Sequence, residues 1–164
     1  MLFVLSIFDL YNKNIVDRKE GSIFEIEGFP MSKKFNVLAK FYQAKLSEYL
    51  RYVGIEEHFS VLMLLDNMNE GCNQKHLANK LYLDETSMVG IIDELVDKKF
   101  VERVKNPSDR RECLVLLTGK GKKSIPEIKN AIDKTNNKLM NGFTEDEKAQ
   151  LSKLLMLLYE NTLN

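Results

Sequence analysis

Arg110 and Arg111 stand side by side in Asn106-Pro107-Ser108-Asp109-Arg110-Arg111, a stretch rich in turn-forming residue types. A guanidinium keeps its charge and offers a rigid fork of donors, so a pair of them suits phosphate oxygens or a narrow minor groove. β-prone segments lie on both sides, Phe100–Val104 before and Cys113–Leu117 after, so the whole reads as a hairpin with positive charge at its tip. Other chemistry is poorly supplied. The chain has no phosphate-cradling glycine loop, no nucleophile elbow and no metal-ligand spacing, so an enzyme, a cofactor and a metal site are not expected. His58 and His76 read as helix-surface or partly buried histidines. Cys72 and Cys113 match no disulfide or metal framework and read as packed thiols, with an oxidant-sensing role for Cys113 as the alternative.

The hairpin needs elements to hold it, and 164 residues suffice for one domain, or for one domain plus an oligomerisation element. Hydrophobic content of 44% and charged content of 29% are globular values. Met1–Phe8 is apolar but is interrupted by Asp9, lacks a basic leader and is too short to span a bilayer, so a soluble cytoplasmic protein is expected. Net charge is zero, with 24 basic and 24 acidic residues, yet the charge is unevenly spread. Nine bases and three acids fall between Lys98 and Lys123, whereas Asp84–Asp97 holds five acids and no base. Neighbouring elements therefore carry opposite fields, and the basic one contains the hairpin.

Apolar spacing at Phe35, Leu38, Phe41, Tyr42, Leu46, Tyr49, Leu50 and Val53 predicts a helix closed by Gly54. Glu56–Asn69 is apolar nearly all round, as a buried helix would be. Asn73 is placed to cap a short helix to Leu81, with Leu77, Ala78 and Leu81 inward. After a turn at Tyr82-Leu83, Asp84 caps a second helix to about Lys98. Its inner stripe is Met88, Ile91, Ile92 and Leu95, which leaves Glu85, Thr86, Val89, Gly90 and Asp93 outward. Two helices joined this tightly form a helix-turn-helix, whose second member enters a major groove. Thr118 caps the next helix, in which Pro126 imposes a kink or falls within the first turns. Thr144-Glu145-Asp146-Glu147 is a capping box opening a last helix with Leu151, Leu154, Leu155, Leu157, Leu158 and Tyr159. These outlying apolar helices need a partner, and a second copy of the chain is the expected one.

From about Phe35 onward the chain resembles MarR-family transcriptional regulators. Leu77–Val89 is similar to the family's helix-turn-helix, and Phe100-Val101-Glu102-Arg103 enters the wing as the family does. The most specific match is Asn106–Arg111 followed by Leu116-Leu117-Thr118-Gly119-Lys120-Gly121. The resemblance implies a mainly α fold with a small β-hairpin wing: a winged helix-turn-helix over residues 55–118, with helical dimerisation regions at 35–54 and 119–164. It further implies a homodimer on a pseudo-palindromic duplex, a repressor's role and relief by a small aromatic effector. Carried over by position, Arg111 reaches the minor groove or its phosphates, Arg110 adds a phosphate or structural contact, Lys105 is a further DNA-binding residue, and Thr86, Ser87 and Gly90 lie along the groove-facing helix. Asp109 positions the wing arginines, or else pins the turn backbone.

Two departures shape the expectation. Glu85 and Gly90 stand where family members often carry arginine, so the wing is expected to supply most of the affinity. Residues 1–34 lie outside the resemblance and read as an extra helix packed on the dimer through Leu2, Leu5, Phe8 and Leu10, or as a flexible lead-in, with Met31 as a second candidate start. Phe41, Tyr42, Tyr49 and Phe59, with Tyr52 nearby, are candidates for lining an effector pocket or for plain core packing. The acidic second helix and the zero net charge support a competing reading, a winged-helix module repurposed for protein–protein contact.

Overall fold

The computed structural model describes residues 22–68, 71–108 and 112–163. The expected N-terminal helix through Leu2, Leu5, Phe8 and Leu10 falls outside the described residues, and so do Asp109, Arg110 and Arg111. Six α-helices and a small antiparallel sheet are described: α1 (Met31–Leu50), α2 (Phe59–Asp66), β1 (Cys72–Asn73), α3 (Gln74–Leu81), α4 (Glu85–Asp97), β2 (Val101–Lys105), β3 (Cys113–Leu117), α5 (Gly119–Leu139) and α6 (Glu145–Asn161).

Local sequence sets most of the boundaries. Asn73, Asp84, Thr118 and Thr144 sit in extended backbone, and each side chain accepts a bond from an amide in the following helical turn. Those amides have no partner within their helix, which is why short oxygen-bearing side chains start helices. Glu147 completes the box by accepting from the Thr144 amide at 2.7 Å.

The first two helices differ from expectation. α1 begins at Met31, directly after Pro30, so its first turn extends into the stretch read as the N-terminal extension. Its end tightens into a 3-10 turn at Arg51–Val53, and Gly54 then takes the left-handed conformation at φ 76°. α2 is shorter than Glu56–Asn69 because His58 stands in the left-handed region (φ 57°) and cannot continue a helix before Phe59. Pro126 is the eighth residue of α5, beyond its first turns, and the helix runs through it.

The core is continuous across regions that the sequence separates. Val61, Leu62 and Leu65 of α2, Leu77 and Ala78 of α3, and Met88, Ile92 and Leu95 of α4 are buried together with Phe100, Val101, Val115 and Leu117 of the wing base. Leu46 and Leu50 of α1 and Ile125, Ile128 and Ala131 of α5 join the same cluster. The inner ends of α1 and α5 are therefore part of the winged-helix lobe. Burying a side chain such as Phe100 or Leu62 contributes about 2 kcal/mol each.

The sheet order is β1-β3-β2, with Val101 opposite Leu117, Lys105 opposite Cys113, and Cys72 opposite Val115. β1 is an addition to the expected two-stranded hairpin. Gly71 makes it possible, since at φ 79° a Cβ would press on the Leu116 side chain and the Val115 carbonyl.

α6 is built differently. It has no buried residue, and Leu154, Leu155, Met156, Leu157, Leu158 and Tyr159 are all between 40% and 58% exposed. Met31, Phe35 and Leu38 on the outer half of α1, and Leu139 and Phe143 near the α5–α6 junction, are exposed as well.

Candidate nucleic-acid interface

The outward face of α4 is as expected from the sequence: Glu85, Thr86, Val89, Gly90 and Asp93 are exposed, while Met88, Ile92 and Leu95 face the core. The turn before it is held by non-glycine residues. Tyr82 is left-handed (φ 55°), and the Leu83 amide donates to the Ala78 carbonyl at 3.0 Å, closing the end of α3. The end of α4 repeats the device. Lys99 is left-handed, the Phe100 amide donates to Leu95 at 2.9 Å, and the Lys99 amide donates to Val96 at 2.8 Å. Phe100 is thereby carried directly into the core at the root of the wing.

Three features fix the wing to the helices. The Thr118 hydroxyl donates to the Lys99 carbonyl at 2.7 Å while capping α5. The Lys120 ammonium donates to the Lys98 carbonyl at 2.8 Å and lies 4.0 Å from the centre of the Phe100 ring. Gly121 packs against the wing root so closely that a Cβ there would overlap the Phe100 carbonyl oxygen, whereas Gly119 has open space. Of the two glycines in Gly119-Lys120-Gly121, the second is the one that close approach requires.

Arg103 makes a link between elements that sequence reasoning missed. Its guanidinium contacts the Asp93 carboxylate of α4 at 2.7 Å, and its Nε donates to Gln74 Oε1 of α3 at 3.1 Å. One side chain on β2 thus ties the wing to both helices of the helix-turn-helix. The partners lie ten and twenty-nine positions away, beyond the reach of local pattern.

The acidic field on α4 is also largely answered. Lys75 of α3 pairs with Glu85 at 3.2 Å, Lys98 with Glu94 at 2.7 Å, and Arg103 with Asp93. Lys98 holds the Glu94 carboxyl below its ordinary pKa, with His58 adding to the effect. Asp84 is occupied with capping, and bonds from the Ser87 hydroxyl and then the Ser87 amide hold its carboxyl below the usual range. These exposed pairs add little stability in water, but they place compensating charge beside each carboxylate.

Among the candidate contact residues, Thr86 is exposed on the first turn of α4, and Lys105 is exposed at the end of β2. Ser87 is less free than expected, because its hydroxyl donates to Asp84 at 2.6 Å. A Cβ on Gly90 would meet nothing within 4 Å, so packing inside the chain does not require glycine there. The described legs of the hairpin close through Asn106, whose amide donates to the Glu112 carbonyl at 3.0 Å and whose side-chain oxygen accepts from the Ser108 amide at 2.9 Å.

The four aromatic candidates are not gathered around one cleft. Phe59 lines an opening of about 390 Å³ between α1 and the helix-turn-helix. Tyr42 instead donates to Asn136 of α5 at 3.0 Å, and burial, aided by the Asp133 carboxylate, raises its phenol pKa. Tyr49 packs against the core, with the Lys45 ammonium 4.9 Å from its ring centre. Phe41 is half-buried on α1, and Tyr52 is 94% exposed. Cys72 is buried, with its thiol pKa pushed up by burial, and Cys113 is exposed. Among the described residues, no helix is long and apolar enough to cross a membrane and no group of His, Cys, Asp or Glu could hold a metal ion.

Two helices joined by a capped turn, followed on the same core by an antiparallel hairpin, define a winged helix-turn-helix protein. Residues 56–113 match the model of the MarR family. The chain is 31% identical over 88 residues to the HTH-type transcriptional regulator BilQ of Clostridium symbiosum (strain WAL-14163), covering 54% of this chain and 61% of that relative. It therefore spans about three fifths of the length of the curated relative it matches. A MarR transcriptional regulator from Methanosarcina mazei Go1 superposes with a TM-score of 0.75 at 29% identity, over 81% of this chain and 96% of the other. The transcriptional repressor CouR bound to a 23-mer DNA duplex gives 0.73 at 25% identity, over 86% and 97%. CouR from Rhodococcus jostii RHA1 bound to p-coumaroyl-CoA gives 0.69 at 26% identity, over 84% and 94%. Over these spans the chain is similar to MarR-family regulators.

Proposed function

We propose that this protein is a cytoplasmic, homodimeric transcriptional repressor that binds a pseudo-palindromic operator and is relieved by a small-molecule effector. The observation that carries the reading is the pairing of an uncovered α4 face with a wing locked to it through Arg103, Asp93 and Gln74. A rigid helix-plus-wing unit has the geometry to place one element in a major groove and the other on the adjacent minor groove. The duplex-bound state of CouR, a relative of the same fold, supports it. The exposed apolar surface of α6 and outer α1 supports the dimer, since such surface needs a partner. Thr86, Lys105, Arg110 and Arg111 are the contact residues, Asp109 orients the arginines, and Gly90 leaves room for the groove wall. Ser87 acts chiefly through the Asp84 cap.

The competing reading, a protein-interaction module, drew on the acidity of α4. The pairing of Glu85, Asp93 and Glu94 with Lys75, Arg103 and Lys98 removes much of that support.

Gel-shift titration against the protein's own upstream region over a salt series tests the proposal. Binding should be salt-steep, and replacing Arg110 and Arg111 together by alanine removes four arginines from the dimer and should lower the log–log slope by up to roughly 3.6, at roughly 0.9 per lost phosphate contact. A folded dimer that binds no duplex at low salt, or a slope that ignores both arginines, contradicts it.

A further inference from the structure

The cleft of about 390 Å³ between α1 and the helix-turn-helix has a distinct chemistry. Its apolar lining includes Phe59 of α2, Leu83 from the turn and Ile91 of α4, and Leu83 is an exposed large hydrophobic residue. Glu56, Glu57 and His58 also line it, and its lining contains neither lysine nor arginine. The His58 imidazole is turned toward acids on two sides, with Nε2 3.5 Å from Glu94 and 3.9 Å from Glu57. The Glu94 carboxylate has its own cation in Lys98, but no described ion pair supplies Glu56 with one. An apolar pocket of this size holds a small aromatic body, and a carboxylate-bearing rim selects the charge of what hangs from it.

We propose that this cleft binds an amphiphilic amine, with its aromatic body against Phe59, Leu83 and Ile91 and its ammonium at Glu56 and Glu57. The choice of charge runs opposite to that of p-coumaroyl-CoA, the ligand in the CouR complex, whose phosphates this rim would repel. Gln43 and Ser47 of α1 and Ile91 of α4 line the same opening, so an occupant would bear on the separation of α1 from α4. That consequence rests on the repressor reading, because in a dimer the placement of α4 on α1 fixes the spacing of the two reading heads. The binding itself does not depend on it.

Two probes with the same indole body and opposite charge, tryptamine and indole-3-acetate, make the test direct. The chain has no tryptophan, so indole fluorescence anisotropy reports the ligand alone. The full chain should bind tryptamine at least about tenfold more tightly than indole-3-acetate, and Glu56→Gln with Glu57→Gln should close most of that gap. Leu83→Asn, at an exposed position, should weaken both probes, and circular dichroism checks that each variant is folded. Equal or tighter binding of indole-3-acetate, tryptamine affinity unchanged in the double glutamine variant, or no tryptamine binding to the folded protein overturns the proposal. Gel shift with and without tryptamine is read separately. Tryptamine binding without any DNA shift would sink the repressor reading and leave the amine site standing, and the reverse outcome would do the opposite.

Discussion

The winged-helix lobe and helix α6 are both rich in large apolar side chains, and they end in opposite states. In the lobe, Leu62, Leu77, Met88, Ile92 and Phe100 are essentially inaccessible, each surrounded by residues from other elements. In α6, six large apolar residues run consecutively from Leu154 to Tyr159, and every one is substantially exposed. Periodicity accounts for the difference. The α4 stripe at Met88, Ile92 and Leu95 occupies one face and can be covered by a single neighbour, whereas an unbroken apolar run surrounds its helix on all sides. Within one chain, α6 touches the lobe through the Tyr82 and Tyr159 hydroxyls, 2.6 Å apart. Among the described residues the lobe closes its own core, while the apolar run of α6 stays uncovered.

The largest expected effect breaks the comparison on the α6 side. Leu155→Asp with Leu158→Asp should convert the proposed dimer to a monomer at all practical concentrations, a loss on the order of 4 kcal/mol or more. Light scattering would read the mass, and near-ultraviolet circular dichroism should show the lobe still folded. A variant that remains dimeric would remove α6 from the interface.

A smaller effect tests the lobe from within. Gly121→Ala places a Cβ on the Phe100 carbonyl, so either the wing root or the first turn of α5 must move. Overpacking of this kind should cost about 3 kcal/mol in urea unfolding, while Gly119→Ala, in open space, should cost little. Equal stability of the two variants would show that the lobe absorbs the clash.

The smallest effect is acid-dependent and sharpens the contrast. Asp84 caps α4 and Glu147 caps α6, and both carboxyls are depressed, Asp84 by Ser87 and Glu147 by the Thr144 amide and hydroxyl. A depressed folded pKa means that the cap contributes above the ordinary carboxylate range and is lost as pH falls through the folded value. In the monomeric α6 variant, protection from amide exchange at Thr144, whose amide the Glu147 carboxylate holds, should be lost on acidification before protection at Ser87, because buried Met88, Ile92 and Leu95 hold α4 in place after its cap weakens. Simultaneous loss at both amides would mean that packing contributes nothing to the difference.

Much of this architecture was legible from local chemistry. The caps at Asn73, Asp84, Thr118 and Thr144 each depend on a bond spanning three residues, so sequence alone suffices to place them. The buried face of α4 followed from spacing for the same reason. The late start of α2 did not, because His58 takes a left-handed conformation that nothing in its side chain announces. The two-residue strand β1 is too short to carry a periodic signal and exists through its pairing with β3. The effector-pocket candidates were chosen as aromatics near one another in sequence, but helix geometry turned Tyr42 toward α5 and Phe59 toward the cleft.

The sequence by itself determined which segments are helical, where the four capped helices start, which face of α4 stays outward and that α6 carries an apolar run on every side, because each is a property of neighbours within a few residues. Tertiary structure decided how charge is distributed across the outward face of α4 and the wing. Summed along the chain, Asp84–Asp97 is an acidic block beside a basic hairpin. In space, Lys75, Lys98 and Arg103 stand against Glu85, Glu94 and Asp93, and Arg103 becomes the strut that aims the wing. Coulomb interaction depends on distance through space, and no count along the sequence contains that distance.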